Sequence, residues 1–196
     1  MIISITGVAG TGKTSVAREL AKMLNARVIH LSRLTEKVSC GYDKVLKAHV
    51  VDIEKLRRVV AGEVKRSCEN HVIVEGLLSH HVDSDVIILL RLSPEEIEKR
   101  LKKRRYPRVK IKENLEAEIL DQIYAECLER ARNKKIRIIQ INTTGKTVGQ
   151  IAKRIFNILR CKNYRSAQKV CGVEVLGDYV DWLEKYEKYI IEWEGR

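Results

Sequence analysis

One stretch of the sequence decides the fold of this 196-residue chain: Gly7-Val8-Ala9-Gly10-Thr11-Gly12-Lys13-Thr14. It matches the pattern G-x-x-x-x-G-K-S/T, in which glycines let the backbone turn tightly and point its N–H groups at an anion. A short apolar strand precedes it and a helical pattern follows, the order that a phosphate-binding loop (P-loop) requires. Lys13 can reach the β- and γ-phosphates of ATP, and the Thr14 hydroxyl can bind Mg²⁺. We therefore predict that ATP with Mg²⁺ binds along the loop, from Gly7 through Ser15.

The hydrophobic pattern around this loop predicts alternating strands and helices. The predicted strands are 2–6, 27–30, 71–74, 85–92 and 136–141. The predicted helices are 15–24, 52–66, 94–104, 112–133 and a last one that Thr143 or Thr144 caps and that ends near residue 159. Residues 31–51 give weak signals and are predicted as loops and short helices. The alternation predicts an α/β P-loop NTPase fold of three layers with a five-stranded parallel sheet, and a ligand site at the carboxyl ends of its strands.

The charge is unevenly distributed along the chain. Residues 1–160 hold 32 Lys/Arg and 19 Asp/Glu, a net charge of +13, whereas residues 161–196 hold six and seven, a net charge of −1. We predict a kinase-type domain over 1–160 and a C-terminal extension over 161–196, with a linker at 160–167 and one amphipathic helix over 178–193. The basic excess either binds phosphates and steers the protein to RNA or a ribonucleoprotein, or is an ordinary soluble surface.

Several classes of protein are disfavoured. The five cysteines are odd in number and include no C-x-x-C pair, so neither a disulfide framework nor a zinc site is indicated. No apolar run approaches the roughly 20 residues that cross a bilayer, and no basic leader precedes the first strand. We expect a cytoplasmic protein with reduced thiols and no membrane partner. A GTPase is disfavoured because the nearest run to its N-K-x-D motif, Asn133-Lys134-Lys135-Ile136, lacks the aspartate.

The remaining features suit a small-molecule kinase, and four later segments sharpen that interpretation. They follow in order as GYD at 41–43, VIVEG at 72–76, RLKKRRY at 100–106 and ENLEAE at 113–118. With the P-loop, they make residues 1–160 resemble the adenylate kinase 6-like family, broad-specificity nucleotide kinases that also act in maturation of the small ribosomal subunit. The segment VDW at 180–182 resembles the tails of archaeal members. The resemblance implies a fold of the nucleoside monophosphate kinase type.

The resemblance also implies roles for residues of the acceptor region, about 31–66, and of a short lid, about 104–112. Arg33 would hold the acceptor monophosphate, and Tyr42 and Asp43 would lie beside the acceptor nucleotide. Arg100 and Arg104 would neutralise charge on the transferred phosphoryl group. The alternatives are a solvated arginine at 33, an ordinary turn at 42–43 and a solvated basic helix end at 100–112.

Glu75 follows the third predicted strand, where the family places a Walker-B-like acid. It would bind Mg²⁺ through water or orient the nucleophile, and the alternative is an ordinary carboxylate at a strand end. The family often has a histidine two residues later, but this chain has Leu77. His80 or His81 could replace that histidine, or both are simple loop residues. This departure puts hydrolysis of ATP in doubt more than the kinase activity.

Three functions remain open at this point. The first is phosphoryl transfer, ATP + AMP ⇌ 2 ADP, together with ATPase activity. The second, also implied by the resemblance, is an ATP-driven assembly factor with little kinase activity that binds a small-subunit ribosomal protein of the S-eleven type and contacts rRNA. The third is a kinase for another small metabolite, because a fold does not fix its substrate.

Overall fold

The computed structural model describes residues 1–44, 48–134, 136–161 and 168–186. The strands in these residues are β1 Ile2–Thr6, β2 Arg27–His30, β3 Ser39–Asp43, β4 Ala48–Val51, β5 Val72–Glu75, β6 Val86–Arg91, β7 Arg137–Asn142, β8 Gln168–Val170 and β9 Val173–Gly177. The helices are α1 Lys13–Leu24, α2 Thr35–Val38, α3 Ile53–Lys65, α4 Pro94–Lys103, α5 Arg108–Ile119, α6 Gln122–Asn133 and α7 Val148–Arg160. Single 3-10 turns cover Leu31–Arg33 and Ser79–His81.

The central sheet has the strand order β2-β5-β1-β6-β7-β9-β8. The five strands predicted from the sequence lie side by side and run parallel. The predicted α/β P-loop architecture is therefore confirmed, but the predicted strand count of five is too low. β9 adds to β7 in parallel, and β8 pairs with β9 in the antiparallel direction.

Strand β6 shows why the fold has three layers. Its side chains alternate between the two faces of the sheet. Ile88 and Leu90 pack with α1 and α7, whereas Ile87 and Leu89 pack with α4, α5 and α6. All four are at most 1% exposed, which explains the unbroken apolar run of this strand.

The C-terminal extension begins differently from the prediction. Most of the predicted linker, 162–167, lies outside the described residues. Residues 168–177, for which the sequence predicted no element, form a hairpin in the main sheet. At Gly177, φ is +101° and an added Cβ would lie 2.2 Å from the Gln140 carbonyl oxygen, so a glycine is needed where β9 leaves the sheet. Helical structure begins at residue 183 rather than 178, and residues 187–193 of the predicted helix lie outside the described residues.

The predicted single helix over 112–133 is also wrong, because α5 and α6 are separate. Asp121, at φ 55°, stands between them in the left-handed region. The cause is the buried guanidinium of Arg91, which donates to the Glu118 carbonyl at 2.9 Å and to the Asp121 carboxylate. These bonds hold the last turn of α5 and the Asp121 side chain together, so the chain turns before α6 begins. α5 also begins at Arg108, before the predicted start at 112, so its first turn lies within the segment predicted as a lid, 104–112.

Two further local predictions need correction. Residues 31–51 contain the antiparallel hairpin β3–β4 as well as short helices. Thr147, rather than Thr143 or Thr144, caps α7 and forms a capping box with Gln150. Among the described residues, no helix combines the length and the apolar composition that crossing a bilayer requires.

Candidate active site

The P-loop lies at the carboxyl end of β1, between β1 and α1. At Gly7, φ is +136° and an added Cβ would come within 2.4 Å of the Leu90 carbonyl oxygen, so no other residue fits there. Gly12 has φ +94° and stands directly before α1. The buried Thr11 hydroxyl donates to the Val8 carbonyl at 2.9 Å and braces the turn. The loop thus leads straight into the helix N-terminus, the arrangement that binds phosphate.

Lys13 bends back over the loop. Its ammonium donates to the Gly7 and Val8 carbonyls at 2.8 and 2.9 Å. Burial lowers the pKa of Lys13 to about 8; the negative charge of Glu75 opposes this shift, and the positive charge of Arg104 adds to it. A phosphate at the loop would favour the charged ammonium again.

A chain of hydrogen bonds joins the start of α1 to the edge of the sheet. The Thr14 hydroxyl donates to Glu75 Oε2 at 3.1 Å, and His30 Nδ1 lies 2.6 Å from Glu75 Oε1. Glu75 is only 4% exposed, so its carboxylate depends on these partners. His30 was not predicted from the sequence. It pairs directly with Glu75 in the β2–β5 register, so its position as the last residue of a strand was the available signal.

The donor set at this position fits Mg²⁺. Thr14 and Glu75 offer a hydroxyl and a carboxylate oxygen, the hard donors that Mg²⁺ prefers beside substrate phosphates. His30 occupies the second carboxylate oxygen and so can orient the first. When bound, Mg²⁺ would supply neutralisation of phosphate charge at this point.

Arginine side chains approach the loop from α4. Arg100 donates to the Gly10 carbonyl at 2.9 Å, so it contacts the outer side of the P-loop. Arg104 follows α4, is exposed and lines the cleft in front of the loop. Lys110, on the first turn of α5, lines the same cleft and was not singled out in the sequence.

α5 also holds the loop from behind. The buried Asn114 side chain accepts a hydrogen bond from the Ala9 N–H at 2.9 Å and donates to the Lys110 carbonyl at 2.7 Å. Asn114 belongs to the segment 113–118 that carries part of the family resemblance. Its contact gives this segment a physical role, which is to fix the P-loop to α5.

The cleft in front of the P-loop has a volume of about 490 Å³. Of the predicted residues, it brings together Ala9, Gly10, Gly12, Lys13, Thr14, Ser15, Glu75 and Arg104. Its opposite wall comes from the acceptor region and includes Ser32, Thr35, His49 and Leu56, which the sequence analysis did not select.

The three predicted acceptor residues lie at the margin of this wall. Among the described residues, the lining of the cleft does not include Arg33, Tyr42 or Asp43. Arg33 is exposed on the turn next to Ser32. Tyr42 is 55% exposed, and its ring meets the His49 ring edge-on at 5.3 Å.

The residues near the missing family histidine lie in two different places. Leu77 is 49% exposed and lines the cleft in front of the P-loop, called the nucleotide cleft below. His80 is 1% exposed, with Nδ1 3.0 Å from the Thr6 hydroxyl and Nε2 2.7 Å from Glu126 Oε2. Both of its ring nitrogens therefore have partners, Nδ1 on the residue directly before the P-loop and Nε2 on α6. His81 is half-buried beside the same glutamate.

Comparison with known proteins agrees with this geometry. A family model described as "AAA domain" matches residues 3–121. A protein of Thermococcus kodakarensis named "Putative adenylate kinase" is 34% identical over 190 residues, 97% of each chain. A protein of the same name from Methanosarcina barkeri is 38% identical over 162 residues, 81% of this chain and 86% of that protein.

This chain belongs to the adenylate kinase 6-like family. The resemblance predicted from the sequence is thereby confirmed, and the relatives together with the P-loop support a nucleotide kinase function. Among solved structures, shikimate kinase from Acinetobacter baumannii aligns with a TM-score of 0.55 at 18% identity, over 81% of this chain and 92% of that one. Deoxyadenosine kinase from M. mycoides aligns with a TM-score of 0.53 at 16% identity, over 81% and 98%. These likenesses show the P-loop kinase fold of this family member.

Proposed function

We propose that this chain transfers a phosphoryl group from ATP to AMP and forms two molecules of ADP. The observation that supports this most directly is that the cleft in front of the P-loop has two unlike walls. One wall is the P-loop with Lys13 and Thr14, and the other is the acceptor region from Leu31 to Leu56. A cleft of this form can hold a triphosphate and a second nucleotide with their phosphates facing each other. The names of the archaeal relatives point the same way.

The chemistry asked of the protein is mainly positioning and neutralisation of charge. An oxygen of the AMP phosphate attacks the γ-phosphorus of ATP, and the bond from that phosphorus to the bridging β-oxygen breaks. Lys13 and Arg104 line the cleft at the P-loop side, and Arg100 braces Gly10. We assign Lys13 and Arg104 to stabilise charge in the transition state. Arg100, which the described lining of the cleft does not include, would reach that charge only if it left the Gly10 carbonyl. Thr14 and Glu75 would hold Mg²⁺.

The acceptor phosphate needs a cation on the far wall. Arg33 is our candidate because it adjoins Ser32, which lines the cleft, and because a guanidinium can bind a phosphate with two parallel hydrogen bonds. Tyr42 would act indirectly, through its contact with His49, which lines the cleft. Asp43 remains a proposed neighbour of the acceptor nucleotide.

The deciding experiment is a screen of nucleoside monophosphates with ATP and Mg²⁺, run beside a reaction without acceptor. We expect ADP formation to rise strongly with AMP, and we expect Lys13→Ala to abolish the rise. Lys22→Ala, on the exposed side of the same helix and paired with Glu19, is the matched control and should behave as wild type. A rate that no acceptor changes would refute the kinase proposal.

A second function, as an ATP-dependent assembly factor, is favoured by a separate observation. Four basic residues near the lid are exposed and are absent from the described lining of the nucleotide cleft: Lys102, Lys103, Arg105 and Arg108. Such a patch suits a polyanion. With the family resemblance, it supports a contact with rRNA or with a small-subunit ribosomal protein of the S-eleven type. Pull-down of the purified ribosomal protein, with ATP, with ADP and without nucleotide, tests this; binding in none of the three conditions would remove that partner.

A further inference from the structure

A second cluster of titratable side chains lies beyond the nucleotide cleft, where the 3-10 turn Ser79–His81 packs against α6. His80 Nε2 lies 2.7 Å from Glu126 Oε2, and His81 Nε2 lies 3.5 Å from the same oxygen. One ligand atom from each of these residues falls within 4.8 Å of the other two. The two imidazole rings lie against each other with centroids 4.0 Å apart. Three potential metal ligands therefore converge on one point.

The hydrogen bonds around His80 leave too few protons for this contact. The Thr6 hydroxyl has one hydrogen, which it donates to the Leu77 carbonyl at 2.9 Å. The Thr6 oxygen, 3.0 Å from His80 Nδ1, then accepts that nitrogen's hydrogen. In a neutral ring the other nitrogen carries a lone pair, which here faces a carboxylate oxygen at 2.7 Å. If the Thr6 hydroxyl donates to Nδ1 instead, the ring hydrogen can lie on Nε2, but the Leu77 carbonyl then loses its donor. A positive centre between Nε2 and the carboxylate, either a proton or a metal ion, satisfies all three contacts at once.

Several features favour a metal ion over a proton. A second imidazole nitrogen, His81 Nε2, also faces the contact, 3.5 Å from the same Glu126 oxygen. Two imidazoles and one carboxylate form a ligand set that zinc uses in open, three-ligand sites. The Thr6 contact on Nδ1 is the outer hydrogen bond that commonly fixes a metal-binding histidine.

The two distances to Glu126 need only a small adjustment. Zinc bonds of about 2.0–2.2 Å in a tetrahedral site place the ligand atoms about 3.3 Å apart. The glutamate must therefore withdraw from His80 by some tenths of an ångström, and its side chain, 34% exposed, is the mobile partner. Gln122 lies 3.5 Å from the other carboxylate oxygen, Oε1. Positive charge nearby opposes the binding of a cation. Arg57 and Arg130 line the adjoining cleft of about 290 Å³, together with His81 and Glu129.

We propose that His80, His81 and Glu126 form a zinc site, with water or a small anion as the fourth ligand. The arginines of the adjoining cleft would favour an anion in that position. The ion would tie the turn after β5 to α6. Because Leu77 and Leu78 precede this turn and line the nucleotide cleft, the ion would also fix one wall of that cleft. The site does not depend on the proposed kinase reaction, so its test uses metal binding alone.

The test is a titration of the full chain with Zn²⁺ after treatment with a chelator, without nucleotide and against a chromophoric competitor. We expect one Zn²⁺ per chain that is lost, or bound at least about tenfold more weakly, in Glu126→Gln and in His81→Gln. Glu129→Gln removes the same charge one turn along α6 in the same cleft and should bind as wild type. Thr6→Val should weaken binding about ten- to a hundredfold, because it removes the partner of His80 Nδ1.

Exposed cysteines need a separate control, since Cys40, Cys68, Cys161 and Cys171 can bind zinc. The titration is repeated with Co²⁺, whose visible spectrum distinguishes nitrogen and oxygen ligands from thiolates. Thermal unfolding without metal tests whether each variant folds. If Glu126→Gln does not fold, His81→Gln alone decides the test. Equal stoichiometry and affinity in wild type, Glu126→Gln and His81→Gln would overturn the proposal. An equal loss of Zn²⁺ binding in Glu129→Gln would also overturn it, because the general negative charge of the cleft would then bind the ion. The contact between His80 and Glu126 would in that case hold a proton.

Discussion

Trp182 donates its indole N–H to the carboxylate of Glu118 at 3.0 Å. Glu118 is 3% exposed and accepts on the same oxygen from Arg91 Nε at 2.7 Å, so the tail completes a buried charged cluster. Glu118 lies on α5, the helix whose Asn114 holds the P-loop. The C-terminal extension is therefore joined to the catalytic domain through a polar core contact as well as through the sheet.

The first prediction concerns this contact. Trp182→Phe keeps an aromatic ring but removes the donor, which should lower the free energy of unfolding by about 1 kcal/mol while ATP binding persists. Truncation after Leu159 should cost roughly 3 kcal/mol or more, because it also removes the buried Val175 and Leu176 of β9. Denaturant unfolding measures both. Tyr179→Phe, at a 70% exposed position of the same tail, is the control and should be neutral.

The second prediction follows from the lowered pKa of Lys13. Between pH 8 and about 10.5 the folded protein gives up this proton while the unfolded chain keeps it, so the unfolded state binds more protons and stability rises with pH. The lysine therefore costs the fold up to roughly 3 kcal/mol below pH 8, and that cost disappears as the pH approaches 10.5. Lys13→Met should be more stable than wild type at pH 7, and the gap should close across this window. A constant gap, from denaturant unfolding between pH 7 and 10.5, would mean that the lysine has an ordinary pKa.

The third prediction tests the acceptor wall. Arg33→Ala should raise the KM for AMP about ten- to a hundredfold, which corresponds to roughly 1.5–3 kcal/mol for a lost charged hydrogen bond, and should change the KM for ATP much less. Arg58→Ala removes an exposed arginine of α3 and is the matched control. Steady-state kinetics with each substrate varied in turn separates the two constants. Equal changes for ATP and AMP would place Arg33 outside the acceptor site.

The fourth prediction concerns His30, which holds one oxygen of Glu75. His30→Ala should leave Glu75 free to turn, so the Mg²⁺ concentration for half-maximal activity should rise about tenfold. The control is His71→Ala. His71 lies directly before β5, at the end of that strand opposite Glu75. The measurement is activity as a function of Mg²⁺ at fixed ATP. An unchanged Mg²⁺ requirement in His30→Ala would show that Glu75 needs no such support.

The fifth prediction concerns hydrolysis of ATP without acceptor, which requires a group to orient water. Leucine at 77 cannot do so, whereas a histidine can, and the position is half exposed in the cleft. Leu77→His should raise acceptor-independent hydrolysis several-fold and change transfer to AMP less. His80→Ala is measured in parallel and should leave hydrolysis per folded enzyme unchanged, because both nitrogens of His80 already have partners, Thr6 and Glu126. A loss of hydrolysis in His80→Ala would reverse this assignment.

The parts of the fold that the sequence predicted are those whose signal is local. The P-loop pattern and the apolar runs of the five parallel strands depend on consecutive residues, so their place could be read directly. β8 and β9 have three and five residues. β9 forms on the edge of β7, some thirty residues earlier, and β8 then pairs with β9. The break at Asp121 similarly depends on Arg91, a residue of another element.

The site divides in the same way. Lys13, Thr14 and Glu75 follow from motif and strand position, and the structure brings them together. The contact of His30 with Glu75 depends on β2 being the neighbour of β5, which strand order alone determines. In the opposite wall, His49 lies on the hairpin β3–β4, whose weak pattern gave no strand signal. Ser32 and Thr35 lie on the short helical turns before that hairpin.

The hairpin β8–β9 also has a consequence for how the protein behaves at high concentration. It ends the sheet with a three-residue strand that carries Lys169, and short, charged outer strands resist pairing with a second molecule. Without it, the outermost strand would be β7, six residues long and rich in isoleucine. Its unpaired backbone would then be a template for intermolecular β-pairing. The hairpin therefore shields the long apolar edge of β7 from pairing with a second molecule.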